Sequence, residues 1–147
     1  MSTYTKLHFH IVFGTKGRVP CIDQRWRSRL WEYMGGTIRG LGGVPHGVGG
    51  WEDHVHLLVD LRPTHVLADI VRELKKASTT WIREEIGVRT FAWQEGYGAF
   101  TVGHREREMI RQYIEQQEQH HKTKGSHEEL LDLLKEAGVE FDPKYLI

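Results

Sequence analysis

Hydrophobic and polar positions alternate from the start of the chain. Leu7, Phe9, Ile11 and Phe13 fall on one side, His8, His10 and Val12 on the other. Residues Lys6 to Phe13 therefore predict a strand with one buried face. From Asp23 to about Leu41 the spacing changes to three and four. Trp26, Leu30, Tyr33, Met34, Ile38 and Leu41 form one apolar stripe, and Asp23 is a suitable N-cap. Gly35 and Gly36 lie inside this helix, each costing roughly 1 kcal/mol relative to alanine, which points to close packing against a sheet. Gly40, Gly42 and Gly43 end it. Val44 to Gly50 reads as a short glycine-rich strand, followed at once by the apolar run that ends at Asp60. So short a connection predicts an antiparallel hairpin.

Pro63-Thr64 opens a second helix that extends to about Ile86, with Val66, Leu67, Ile70, Val71, Leu74, Ala77, Ser78, Trp81 and Ile82 as its buried stripe and Gly87 after its end. Alternating aromatics from Phe91 to Val102 predict a fourth strand, interrupted by glycines. A third helix is expected from His104 to Thr123, with Met109, Ile110, Tyr113, Ile114 and Gln117 on one side. Ser126-x-x-Glu129 has the pattern of a capping box for a last helix, Glu128 to Ala137. The order is β-α-β-β-α-β followed by helices. The economical architecture is an α+β, ferredoxin-like sandwich with an antiparallel sheet and an added C-terminal helix. The strand holding His54 should be central.

Composition narrows this little. At 147 residues, 39% hydrophobic and 27% charged, the chain suits one folded domain. No apolar run approaches the ~18 residues of a membrane span, and the N-terminus lacks the apolar core of a signal peptide. The single cysteine, Cys21, suits a reducing, cytoplasmic setting. Net charge is zero, where a nucleic-acid binder usually shows a basic excess. The ten histidines are the compositional hint of metal or phosphate chemistry.

The densest candidate site is Asp53-His54-Val55-His56-Leu57-Leu58. In a strand His54 and His56 share one face, about 7 Å apart, and can converge on one ion. His8 and His10 form a second such pair; there the plain reading has one in a groove and the other in solvent. Two imidazoles leave an ion under-coordinated. Tyr113 and Gln117 share a helical face one turn apart, so Gln117 can add an oxygen ligand and Tyr113 a nucleophilic hydroxyl. Such a set suits magnesium or manganese with positions open to a phosphoryl oxygen. The same spacings also fit two unrelated histidines and a core tyrosine.

Resemblance decides between these readings. The Asp53–Leu58 run resembles the histidine–hydrophobic–histidine signature of the HUH nucleases. Tyr113 followed four residues later by Gln117 looks like the catalytic-helix motif of their single-tyrosine branch. His10-Ile11-Val12-Phe13-Gly14-Thr15-Lys16-Gly17-Arg18 is similar to that branch's first strand and basic turn. The likeness is to insertion-sequence transposases and repeat-associated tyrosine transposases. It covers about residues 4 to 121, within a domain of residues 1–125, and leaves 126–147 as a short helix and tail.

The resemblance implies a transposase that nicks and rejoins single-stranded DNA at mobile-element ends. His54, His56 and Gln117 would hold Mg2+ or Mn2+, and Tyr113 would form a 5′-phosphotyrosine, releasing a 3′-hydroxyl. Partners would be DNA with hairpin ends and a second copy of the chain. In the insertion-sequence branch the tyrosine helix completes the partner's site, and Gly96 to Gly103 would be the hinge for that exchange; the repeat-associated branch is monomeric. Lys16, Arg18, Arg72, Lys75, Lys76 and Arg83 are candidate phosphate contacts, about half expected to be plain surface charges. Trp51, Trp93 and Tyr97 are candidate stacking platforms, with core packing expected for at least two. The rivals are a domesticated hairpin-binding protein without turnover and an unrelated metal-dependent hydrolase.

Overall fold

The structure, a computed structural model, describes residues 2–120 and 125–141. Four strands, β1 (Leu7–Gly14), β2 (Val44–Gly50), β3 (His54–Leu61) and β4 (Gly98–Val102), form one antiparallel sheet in the order β2-β3-β1-β4. Helices α1 (Arg27–Gly40) and α2 (Leu67–Trp81) connect them. This is the ferredoxin-like arrangement, with β3 and β1 central. β2 has the bounds its glycine-rich run predicts.

The period-2 pattern of β1 and β3 sorts their side chains cleanly. Ile11, Phe13, Val55, Leu57 and Val59 pack under Leu30, Met34, Ile38, Ile70, Val71 and Leu74 from the two helices, all buried. That layer holds most of the buried apolar surface and carries most of the stabilisation. The opposite face of the same strands carries His8, His10, His54, His56 and Asp60, also buried. It is covered by α3 (Arg107–Glu115), whose Ile114 packs on Leu58 and Val102. His8 thus faces neither groove nor solvent, contrary to its plain reading.

Several boundaries differ from those expected. Asp23 does not cap α1. Its carboxylate accepts from the Arg25 backbone N–H in a turn before the helix, and Trp26 occupies the cap position. α2 ends at Trp81 and runs into a wider π-type turn, Ile82–Ile86, closed by Gly87 at φ 94°. Val66, expected in the stripe, precedes the helix and is exposed. The fourth strand is shorter than its aromatic pattern, because residues before Gly98 form a loop that meets the sheet only through a Thr15–Trp93 bridge. Gly98 to Val102 is paired to β1, so most of the expected Gly96–Gly103 hinge is sheet.

The third helix is not continuous. A 3₁₀ turn, His104–Glu106, precedes α3; the chain then breaks at Gln116 (φ −97°, ψ 17°) and resumes as α4 (Gln117–His120). Met109 is exposed rather than packed. The expected end at Thr123, with His121, lies outside the described residues. The last helix, α5 (Ser126–Ala137), begins two residues before the expected start, with Gly125 at the cap position and no side-chain cap. Ser126-x-x-Glu129 is therefore not a capping box. Among the described residues no helix is long and apolar enough to cross a membrane.

α3 lies close to the sheet for a specific reason. A Cβ built on Gly49 would sit 2.3 Å from the Ile114 carbonyl oxygen. Only the absence of a side chain there lets the last turn of α3 rest on the β2 backbone.

Candidate active site

β3 places His54 and His56 on the face beneath α3, and β1 lies beside them with Gly14 opposite His54 and Val12 opposite His56. Both imidazoles are buried. Each is held from behind. His54 donates from Nδ1 to Asp53 Oδ1 at 2.8 Å. That leaves its Nε2 facing Gln117 Oε1 at 3.1 Å. His56 Nδ1 lies 2.7 Å from His10 Nε2. Burial, then the neighbouring His56, push His10 down to about 3, so it stays neutral. With an ion on His56 Nε2, the neutral His10 would accept from His56 Nδ1–H, the usual way a partner fixes a ligating tautomer.

Gln117 reaches this space although it begins α4. Its amide stays near Tyr113, whose carbonyl lies 3.5 Å from Gln117 Nε2. Tyr113 stands on α3 with its ring perpendicular to that of His56, centroids 5.7 Å apart. The four residues predicted from sequence are thus brought together.

A fifth residue joins them. Glu129 of α5 is buried, with Oε1 2.6 Å from His56 Nε2 and 3.3 Å from His54 Nε2. Its Oε2 accepts from the Tyr113 hydroxyl at 2.5 Å. One carboxylate therefore bridges the candidate nucleophile and the histidine pair. Burial first, then Glu129, push the Tyr113 hydroxyl far above its ordinary value. Burial alone would lower His54, but Asp53 and Glu129 outweigh it and raise it to about 9. With no ion bound, His54 thus carries a proton held between two carboxylates.

His54, His56 and Glu129 form a group able to hold a metal ion, one donor atom of each lying within 4.8 Å of the others. Their spacing fits. An octahedral ion with bonds of about 2.1 Å sets adjacent ligands about 3.0 Å apart. The separations from His54 Nε2 to Gln117 Oε1 and Glu129 Oε1 are 3.1 and 3.3 Å. Two imidazoles with carboxylate and amide oxygens suit a hard or borderline divalent ion.

A cavity of about 480 Å³ opens beside the histidines, lined by Arg18, His54, Tyr97 and Glu129 among others. Arg18 reaches it because Gly17 and Arg18 both take left-handed backbone, at φ 66° and 57°. Its guanidinium packs against Gly14, where a Cβ would lie 3.0 Å from it. Of the other predicted phosphate contacts, Lys16 and Lys76 are exposed. Arg72 pairs with Asp69 and Glu73. Arg83 donates to the Phe91 carbonyl. Lys75 donates to three carbonyls, those of Gln94, Glu95 and Gly96, and so holds the loop before β4. Among the aromatics Trp93 is in the core with Phe13 and Phe91, Trp51 lies under the Arg27 guanidinium, and Tyr97 is presented to the cavity.

Sequence reasoning missed the parts of Asp53 and Glu129, and it set His10 in a separate pair with His8 rather than beside His56. Asp53 was signalled by its adjacency to His54. His10 was signalled by the alternation that puts it on the His56 face, but which strand pairs with which is not readable from one chain. Glu129 had no usable signal, because its local pattern imitates a cap.

Comparison with known proteins places the chain by family and by fold. The family described as Transposase IS200 like matches residues 3–117. No curated protein matches the chain. Among solved structures, a Deinococcus radiodurans R1 chain assigned as a transposase is similar at 27% identity and a TM-score of 0.61, covering 80% of this chain and 95% of its own. A REP-associated tyrosine transposase, solved bound to a REP hairpin, shares the fold at 16% identity and a TM-score of 0.60, over 82% of this chain and 74% of its own.

Proposed function

Because the chain belongs to the IS200-like transposase family, we propose that it nicks and rejoins single-stranded DNA at mobile-element ends through a 5′-phosphotyrosine on Tyr113. The observation that carries this is the convergence of His54, His56 and Gln117, with Tyr113 one carboxylate away. His54, His56 and Gln117 would hold Mg2+ or Mn2+, with Glu129 adding an oxygen. The ion would neutralise phosphate charge and align it for in-line attack. Tyr113 Oη gives its proton to Glu129 and forms a bond to phosphorus. The bond from phosphorus to the 3′ oxygen breaks, and that oxygen leaves as a 3′-hydroxyl after taking up a proton. Reversal by another 3′-hydroxyl rejoins strands with no external energy source, since the phosphotyrosine conserves the bond.

Arg18 faces the cavity and offers a bidentate phosphate contact. Lys16 and Lys76 are the other exposed cations proposed to meet the DNA backbone, and Tyr97 the base-stacking platform. Residues 1–125 carry the motifs, and 126–147 add the helix that supplies Glu129. The DNA is proposed to carry a hairpin next to the cleaved strand. The contacts of Tyr113 and His56 with one Glu129 support a tyrosine that serves its own chain's histidines, and a homodimer would then hold two such sites. The proposed setting is the cytoplasm, where Cys21 stays reduced.

The test is a denaturing gel of the protein with labelled single-stranded DNA from its own genomic flanks and Mn2+. A covalent band is expected, absent in Tyr113→Phe. His56→Ala should lose the band yet keep hairpin binding. Hairpin binding with no covalent band in the wild type would establish instead a binding protein without turnover. Metal-dependent cleavage that persists in Tyr113→Phe would establish a hydrolase.

A further inference from the structure

The polar face of the sheet carries a second cluster, built from side chains the transposase site does not use. His8 and Asp60 are register partners on β1 and β3. His46 lies on β2, where the pairing with β3 slips between Pro45 and Gly47. His46 is the extra residue of that bulge. A bulge re-aims a side chain, and here it turns His46 towards Asp60. His104, just beyond β4, stacks on His8 with ring centroids 5.7 Å apart. The four strands or their ends thus contribute His46, Asp60, His8 and His104 in one row across the sheet.

The contacts within the row are those of a ligand set. His8 Nδ1 is hydrogen-bonded to Asp60 Oδ1. His8 Nε2 is buried and has no hydrogen-bond partner. His46 Nε2 lies 2.8 Å from Asp60 Oδ2, yet also makes no hydrogen bond of acceptable direction. His8 and His46 thus converge from two strands on the two oxygens of one carboxylate. One donor atom each from His8, His46 and Asp60 lies within 4.8 Å of the others. A buried imidazole nitrogen without a partner is a costly orphan, and a bound group resolves it. The Lys6 ammonium, 3.7 Å from Asp60 Oδ2 and largely exposed, is the cation nearest the cluster. It is free to swing away. The His46 side chain is 22% exposed, so an ion can enter from solvent.

We propose that His8, His46 and Asp60 form a second divalent metal site, selective for a zinc-class ion. Two imidazoles and one carboxylate are the donor set of three-ligand zinc sites, which leave a fourth position for water or another side chain. This set is softer than the one around Tyr113, which adds an amide oxygen. The ion would tie edge strand β2 to β3 and β1, so its function is structural. It is distinct from the catalytic ion: His8 is two residues from His10 along β1, and Asp60 four from His56 along β3.

The test uses the tag-free, chelator-stripped full chain titrated with Zn2+ by calorimetry, with bound metal counted by mass spectrometry. The wild type should bind one more ion per chain than either His46→Ala or Asp60→Asn, or bind that ion at least about tenfold more tightly. Zn2+ should raise the thermal midpoint of the wild type more than that of Asp60→Asn, an isosteric change that keeps the fold. His56→Ala should leave this ion in place, which separates the cluster from the transposase site. Equal stoichiometry and affinity in wild type, His46→Ala and Asp60→Asn would overturn the proposal. So would loss of all Zn2+ binding in a folded His56→Ala chain.

Discussion

The same substitution, glycine to alanine, should have opposite signs at Gly49 and Gly36. At Gly49 a Cβ would stand 2.3 Å from the Ile114 carbonyl oxygen and 3.1 Å from its carbonyl carbon. Ordinary contact needs about 3.5 Å, so α3 must retreat by about 1 Å. Ile114 is fully buried against Leu58, so the retreat loosens that contact and costs about 1–3 kcal/mol. The chemistry should suffer more than the fold. Tyr113 and Gln117 flank Ile114, and a displacement of about 1 Å from attack geometry costs about 10²-fold in rate. At Gly36, on the exposed face of α1, the nearest atom to a new Cβ is the Arg39 guanidinium at 3.9 Å. Alanine there removes backbone freedom from the unfolded chain and should stabilise by about 0.5–1 kcal/mol. Urea denaturation of both variants measures the stabilities, and single-turnover formation of the protein–DNA adduct measures the rate. A Gly49→Ala chain with wild-type stability and wild-type adduct rate would refute the placement of α3 on the β2 backbone.

Four further substitutions test the contacts around the site and the loop before β4. Asp53 and Glu129 raise His54 from 6.5 to about 9, so in the metal-free chain this pairing stabilises fully below about pH 6.5 and is lost as pH rises through about 9. Urea midpoints in EDTA should fall across that window by a free energy on the order of 3 kcal/mol, and His54→Asn should flatten the slope. Lys75→Met should lower stability by about 1–3 kcal/mol through loss of the carbonyl contacts, with the salt dependence of DNA binding unchanged, whereas Arg18→Gln should reduce that slope by about 0.7. Glu129→Gln should slow adduct formation by about 10²–10⁴ while hairpin binding persists; faster adduct formation would show that the carboxylate obstructs the site.

Strand alternation and helical spacing made most of the fold legible, because both periods report directly on burial. β2 and the β2–β3 hairpin follow from the glycine run and the short connection. The errors lie where tertiary contacts override a local pattern. Asp23 has the chemistry of a cap, but Arg25 claims it first. Phe91 and Trp93 alternate as in a strand, but they turn into the core beside Phe13 and leave the sheet to Gly98–Val102. Lys75 looked like a phosphate ligand because its helix position is open; the loop that wraps it is remote in sequence. The histidine pair, Tyr113 and Gln117 were legible through the family resemblance, since their spacings alone also fit two unrelated histidines and a core tyrosine.

Glu129 shows the limit of that legibility, and the reason is energetic. The polar face buries His8, His10, His54, His56, Asp60 and Gln117 beneath few apolar contacts. Each such group destabilises the fold unless it is paired. Stability therefore comes from the helix-covered face, and the polar face is tolerated only where partners close it. His10 closes part of it from β1, and Asp53 from the turn just before β3. The remaining partner for His56 and Tyr113 comes from α5, beyond the 3–117 stretch matched by the family. A motif records the residues that chemistry demands. The residue that neutralises them can come from any element within reach, so its position in the chain is set by packing and carries no local signature. For this reason Glu129, rather than a motif residue, is the substitution that best separates a completed site from an obstructed one.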